Sequence, residues 1–183
     1  GITWSEQTIL TASDAAAYDW FGYSVAVSGN TALVGAPRAE VNGVTWAGAA
    51  YVFINSGGVS EQAKLAVSGI TDSTYLGASV ALDGDTALVG ARVADPGGAQ
   101  SAGAAYVFVR SGTTWNARAM LYAADAAAND EAGRSVALVC ETALVGAAGA
   151  DGSTQADAGA ATIYELTDES LLNTDLEEDE DSD

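Results

Sequence analysis

Hydrophobic positions along this chain come in short apolar runs punctuated by Gly, Ser, Asn and Asp, with no helical period. FGYSVAV, TALVGA and GAAYVF follow one another at residues 21–27, 31–36 and 48–53. The second and third runs are almost continuously apolar, which predicts strands covered on both faces. A fourth run, VSEQAKL at Val59–Leu65, alternates and carries charge, which predicts an exposed edge strand. Two-residue links, Gly29-Asn30 and Gly84-Asp85, separate the first run from the second, and a leading Gly suits a hairpin turn needing positive φ.

The pattern repeats. TALVGA recurs at Thr31, Thr86 and Thr142, a spacing of 55 and then 56 residues. Ser-Val-Ala starts at Ser24, Ser79 and Ser135, and AGAAYVF at Ala47 and Ala102 decays to AGAATIY at Ala158. Copies of the fourth run stand at Trp4–Leu10 (WSEQTIL) and Trp115–Leu121 (WNARAML). Self-similarity at this period marks a repeat architecture. The fold class expected is all-β: tandem four-stranded antiparallel blades of the β-propeller type, with a β-solenoid or β-sandwich as the competing arrangement. The organisation is a lone outer strand at 4–10, blades at 20–65, 75–121 and 132–166, and an acidic tail at 167–183. Three blades fall short of a ring, so the propeller is incomplete or completed by association.

Phe21-Gly22 followed by Gly35-Ala36-Pro37 resembles the FG-GAP repeat of integrin α-subunit propellers. The fuller pattern is closer to the FG-GAP-like repeats of bacterial and algal extracellular proteins. The signature decays to Leu76-Gly77 with Gly90-Ala91-Arg92, then to Ala132-Gly133 with Gly146-Ala147-Ala148. The resemblance implies a propeller with each first strand nearest the axis and each fourth strand outermost, an extracellular or cell-surface setting, and a role in adhesion. Integrin-type repeats hold calcium in the hairpin between strands one and two. Here that hairpin is a two-residue turn, too short to wrap a cation wanting about 6–8 oxygens, so the site does not carry over.

Charge narrows the partners. There are 25 acidic and 6 basic residues, a net charge of −19, and no His. Seven acids sit in the last nine residues, Asp175–Asp183, so the body alone is near −12. Such a surface repels nucleic acid and anionic membranes and suits cations or basic partners. No apolar run approaches the length of a membrane helix. The tail reads as a solvated acidic end.

Carboxylates recur in two loop families. Asp14 and Asp19 precede the first strand of copy one, and Asp125 and Asp130 precede that of copy three; copy two has Gly69 and Thr74 there. After the second strand, Asp151, Ser153, Gln155 and Asp157 place oxygens at every second residue, as a calcium loop does. These eight residues are the candidate Ca²⁺ ligands. The alternative is that they close turns and cap loops. Paired carboxylates also run glycoside hydrolysis. Recurrence on equivalent loops argues for a structural feature instead, and without His, a nucleophile elbow or a phosphate loop no enzyme is expected. Trp4 and Trp115 align and read as blade packing. Trp20 and Trp46 lie in loops of copy one alone, folded onto the blade or available to stack on a sugar or protein. Cys140 stands where copies one and two have Gly29 and Gly84, so its Cβ predicts a different third turn. Its thiol is either inert or an intermolecular link.

The function expected is a non-catalytic extracellular structural protein, self-associating or joining a larger assembly through end strands and blade faces. The alternative is a carbohydrate- or protein-binding adhesion module.

Overall fold

Short apolar runs bounded by Gly turns fold into hairpins, and here they do so three times. The computed structural model describes residues 3–70, 72–151 and 155–167. The first sheet has the order β1 (Ser24–Ser28), β2 (Thr31–Ala36), β3 (Ala49–Asn55), β4 (Val59–Leu65). The second has β5 (Leu76–Asp83), β6 (Thr86–Ala91), β7 (Ala104–Ser111), β8 (Thr114–Leu121). The third has three strands, β9 (Ala132–Val139), β10 (Thr142–Ala147) and β11 (Ala160–Glu165), with β10 central. Every neighbouring pair is antiparallel, and each β-meander keeps the same register: Leu33 faces Val52, Leu88 faces Val107 and Leu144 faces Ile163. A bulge interrupts the outer ladder at the equivalent place in the first two sheets, after Val52 and after Val107. The only helix among the described residues is a 3₁₀ turn at Pro96–Gly98.

The sheets stack face to face in chain order and approach most closely at their first strands, so β5 lies against β1 and β2 and β9 lies against β5 and β6. The outer strands β4 and β8 are further apart. This wedge is the packing of propeller blades, and it is not closed. One apolar core fills each gap. Leu33 and Val52 of the first sheet meet Leu82, Val89 and Phe108 of the second. Leu88 and Val107 of the second meet Val145 and Ala147 of the third. Central strands are therefore buried on both faces, as their continuous apolar sequence requires.

Small residues set the close approach. Gly77 (φ 91) sits under the Ala49 carbonyl and Gly133 (φ 81) under the Ala104 carbonyl, leaving no room for a Cβ. Each junction repeats the same hydrogen bonds. The amides of Tyr75 and Leu76 donate to the Trp46 and Ala47 carbonyls at 3.1 and 3.0 Å, and those of Glu131 and Ala132 donate to Ser101 and Ala102 at 3.1 and 2.8 Å. The Ser24 hydroxyl donates to the Gly77 carbonyl at 2.8 Å, and the Ser79 hydroxyl to the Gly133 carbonyl at 2.7 Å.

Two expectations are corrected. Residues 4–10 form no strand: they join no ladder, and Trp4 is 91 % exposed although its counterpart Trp115 is packed against the core. A strand needs a partner edge, and residues 4–10 pair with no strand of this chain. The third hairpin turn does not differ either. Cys140 takes φ 51, beside 57 at Gly29 and 55 at Gly84, and its amide donates to the Asp83 carboxylate at 2.6 Å. The ladder on both sides holds the turn against the Cβ strain.

Candidate binding surfaces

The recurrent carboxylates act first on their own loops. Asp19 accepts a hydrogen bond from the Ala16 amide and Asp130 one from the Ala127 amide, both at 2.8 Å, so equivalent turns close in copies one and three. Asp151 accepts from the Asp157 amide at 2.9 Å, as Asp95 accepts from the Ser101 amide in copy two. Asp14 is bound by the Lys64 ammonium at 2.6 Å and the Tyr51 hydroxyl at 2.8 Å. The Lys64 hydrogen bond, more than any other contact, holds the Asp14 carboxyl below the usual carboxylate range. Burial, reinforced by Asp14, pushes the Tyr51 hydroxyl far above its ordinary value.

Asp125, Asp130 and Asp151 are brought to one pocket of about 270 Å³ beside β10 and β11. Asp14 and Asp19 lie on the equivalent loop of the first blade, away from it. Ser153 lies outside the described residues, as does the tail from residue 168. Among the described residues no three acidic, His or Cys side chains converge closely enough to hold a metal ion. The Asp19, Asp130 and Asp151 oxygens fit the capping of turns.

A second surface joins residues that the sequence keeps apart. The Arg38 guanidinium lies over the Trp20 ring at 3.5 Å and beside the Trp46 ring at 5.2 Å. Trp20 stacks on Tyr23 with centroids 5.7 Å apart, and Trp46 meets Tyr75 at 5.9 Å. The row continues through Arg92, which lies 5.1 Å over Tyr75 and pairs with Glu131. Trp20 and Trp46 remain partly exposed, and the buried Arg38 Nε has no hydrogen-bond partner. Both tryptophans occupy left-handed backbone, φ 61 and 59. Their equivalents Tyr75, Glu131, Ser101 and Asp157 do so too, so the repeat imposes the conformation and copy one places indoles on it. A bulky residue there costs roughly 1–2 kcal/mol. Arg38 had no signal of its own in the sequence; its signal is that the two loops flanking it are always held side by side by the blade geometry.

The third surface is the pair of outer faces. On the back of the third sheet Leu144 and Ile163 are 39 % and 66 % exposed, where Leu33, Leu88, Val52 and Val107 are fully buried. On the front of the first sheet Val25 and Val27 are 70 % and 73 % exposed. Neither face carries a charged residue at these core positions. Cys140 is an exposed free thiol. No helix among the described residues is long and apolar enough to cross a membrane.

No curated protein matches the chain. The family described as FG-GAP repeat matches three times in tandem, over residues 4–53, 59–108 and 115–164, each match running from one outer-strand segment through the next inner hairpin to the third strand. With blades, stacking and signature residues in the same phase as those matches, the chain belongs to the FG-GAP repeat family.

Proposed function

We propose that this chain is a non-catalytic extracellular module that works by association, joining copies or partners through the outer faces of its end blades and the segment 4–10. FG-GAP repeats form β-propeller-like modules that commonly serve extracellular adhesion or binding. The observation that carries the reading is positional: Leu144 and Ile163 stand at sites that are buried in both other blades yet are open here. An apolar face built to receive a blade lowers its free energy by receiving one, at roughly 25 cal/mol for each Å² covered. Light scattering across a dilution series tests this. Concentration-dependent mass supports it, and a monomer at every concentration overturns it.

A second reading is favoured by the Trp20–Arg38–Trp46 stack, which offers two indole faces and one cation on an otherwise acidic molecule. Such a surface suits a glycan or protein ligand that stacks and accepts hydrogen bonds. Titrating a glycan panel against tryptophan fluorescence tests it. A ligand whose signal disappears in Trp20→Ala supports this reading, and a silent panel together with an inert Arg38→Ala counts against it.

A further inference from the structure

We propose that two copies of this chain dock head to tail at both ends and close a six-bladed ring, in which residues 4–10 of each copy complete the third sheet of the other. The inference rests on the association reading above and names its partner, a second copy, and its geometry.

The chain contains the required junction twice. At each, the blade in front presents two carbonyls and a serine hydroxyl, and the blade behind inserts an X-Gly pair: Leu76-Gly77 at the first junction, Ala132-Gly133 at the second. The back of the third blade repeats the receiving half. Ser135 stands where Ser24 and Ser79 stand, and the carbonyls of Asp157 and Ala158 stand where those of Trp46 and Ala47 stand. Gly146 matches Gly35 and Gly90, which are pressed against the inserted Gly77 and Gly133; around Gly146 the nearest described atoms are those of Ser135 in its own sheet. A groove of about 690 Å³ opens there, lined by Ser135, Gly146 and Gly159.

The front of the first blade repeats the inserting half. Phe21-Gly22 is the equivalent pair; Gly22 has the same positive φ, 89, and no described atom within 4 Å of where a Cβ would stand. Docking would give the Trp20 and Phe21 amides the Asp157 and Ala158 carbonyls, and the Gly22 carbonyl the Ser135 hydroxyl. It would also cover Val25 and Val27 with Leu144 and Ile163. One bond is lost relative to the internal junctions, because Val139 replaces the acceptors Ser28 and Asp83 that receive the Gly84 and Cys140 amides.

The segment 4–10 supplies the missing strand. It aligns with β4 and β8, and it runs beside the front of the first blade, where Gln7, Thr8 and Leu10 line a pocket with Val27 and Phe53. The third sheet has an open edge at β11. The register of β4 on β3 and β8 on β7 carries over to place Leu10 opposite Ala161, Thr8 opposite Ile163 and Glu6 opposite Tyr164. Such an edge is a ready template for a strand from another chain. For the 183-residue chain, which carries three of the matched repeats, closure at about 4–8 blades is met by two copies. A heterologous contact that closes after two copies gives a two-fold ring with two equal junctions.

Three measurements on the 183-residue chain test this. Light scattering should give twice 18.3 kDa. In a Cys140→Ser background, Thr8→Cys with Ile163→Cys should oxidise to a covalent dimer, and either cysteine alone should not. Val25→Lys and Ile163→Lys, both exposed in the single chain, should each give a monomer with an unchanged circular dichroism spectrum. A monomer for the unaltered chain overturns the ring and the association reading together. Masses beyond two copies, or a dimer indifferent to both lysines, overturn the ring and leave association standing. A dimer in which the cysteine pair stays reduced overturns the strand completion.

Discussion

Cys140 shows how far a side chain can be forced by its repeat. Its φ of 51 is one that only Gly adopts freely, yet the hairpin and the Asp83 carboxylate hold it there. Left-handed strain of roughly 1–2 kcal/mol is offset in part by the extra chain entropy a Gly loses on folding, about 0.4–1 kcal/mol. Cys140→Gly should therefore raise stability by about 0.5–1 kcal/mol, read as a higher denaturation midpoint with an unchanged slope. Asp14 is the other informative residue. Its carboxyl is held below the usual range by Lys64 and Tyr51, so it stabilises the fold fully above the unfolded value of 3.8 and loses that contribution as pH falls through the folded value. Because the ion pair is partly exposed, Asp14→Ala should cost only about 1 kcal/mol near neutrality, and the gap from the unaltered protein should shrink below about pH 4. Melting curves at stepped pH check both the size and the direction. Asp19, Asp130 and Asp151 already accept backbone amides, so melting in calcium and in EDTA should coincide; a rise with calcium would return these residues to the role of ligands. Their spacing was legible in the sequence. Which atoms their oxygens meet was not, because a turn-closing Asp and a cation-holding Asp share one pattern.

At the scale of strands, the inner hairpins were readable because apolar composition and Gly turns are local properties. TALVGA forms the same strand three times, at Thr31–Ala36, Thr86–Ala91 and Thr142–Ala147. The segment 4–10 shows the limit of that reading. It has the sequence of β4 and β8 but pairs with no edge of its own chain, and strand formation depends on a partner as much as on the residues. Gly77 and Gly22 separate the backbone and packing parts of a junction. Both take positive φ, but only Gly77 has a carbonyl in the place of a Cβ. Gly77→Ala should cost more than about 2 kcal/mol, adding overpacking to backbone strain, while Gly22→Ala should cost about 1 kcal/mol. Denaturant titration of dilute protein measures the difference; equal losses would mean that the blades shift apart to accommodate the methyl.

For the whole molecule, charge opposes what the apolar faces favour. Two copies at −19 each repel, and that repulsion is screened as salt is added. Self-association should tighten between about 0.01 and about 0.15 M salt, as the Debye length falls from about 30 to about 8 Å, in sedimentation runs at fixed protein concentration. Association that weakened with salt would point to ion pairs in place of apolar faces. The sequence by itself determined the repeat, its inner hairpins and the family, because period, apolar runs and turn residues are written along the chain. It also determined the sign of the surface. Only the tertiary structure decided that Trp20, Arg38 and Trp46 meet, that Cys140 copies a glycine, and that Leu144 and Ile163 stand open while their counterparts are buried. Those depend on which blade lies against which, and identical sequence positions acquire different surroundings according to whether a neighbour is there.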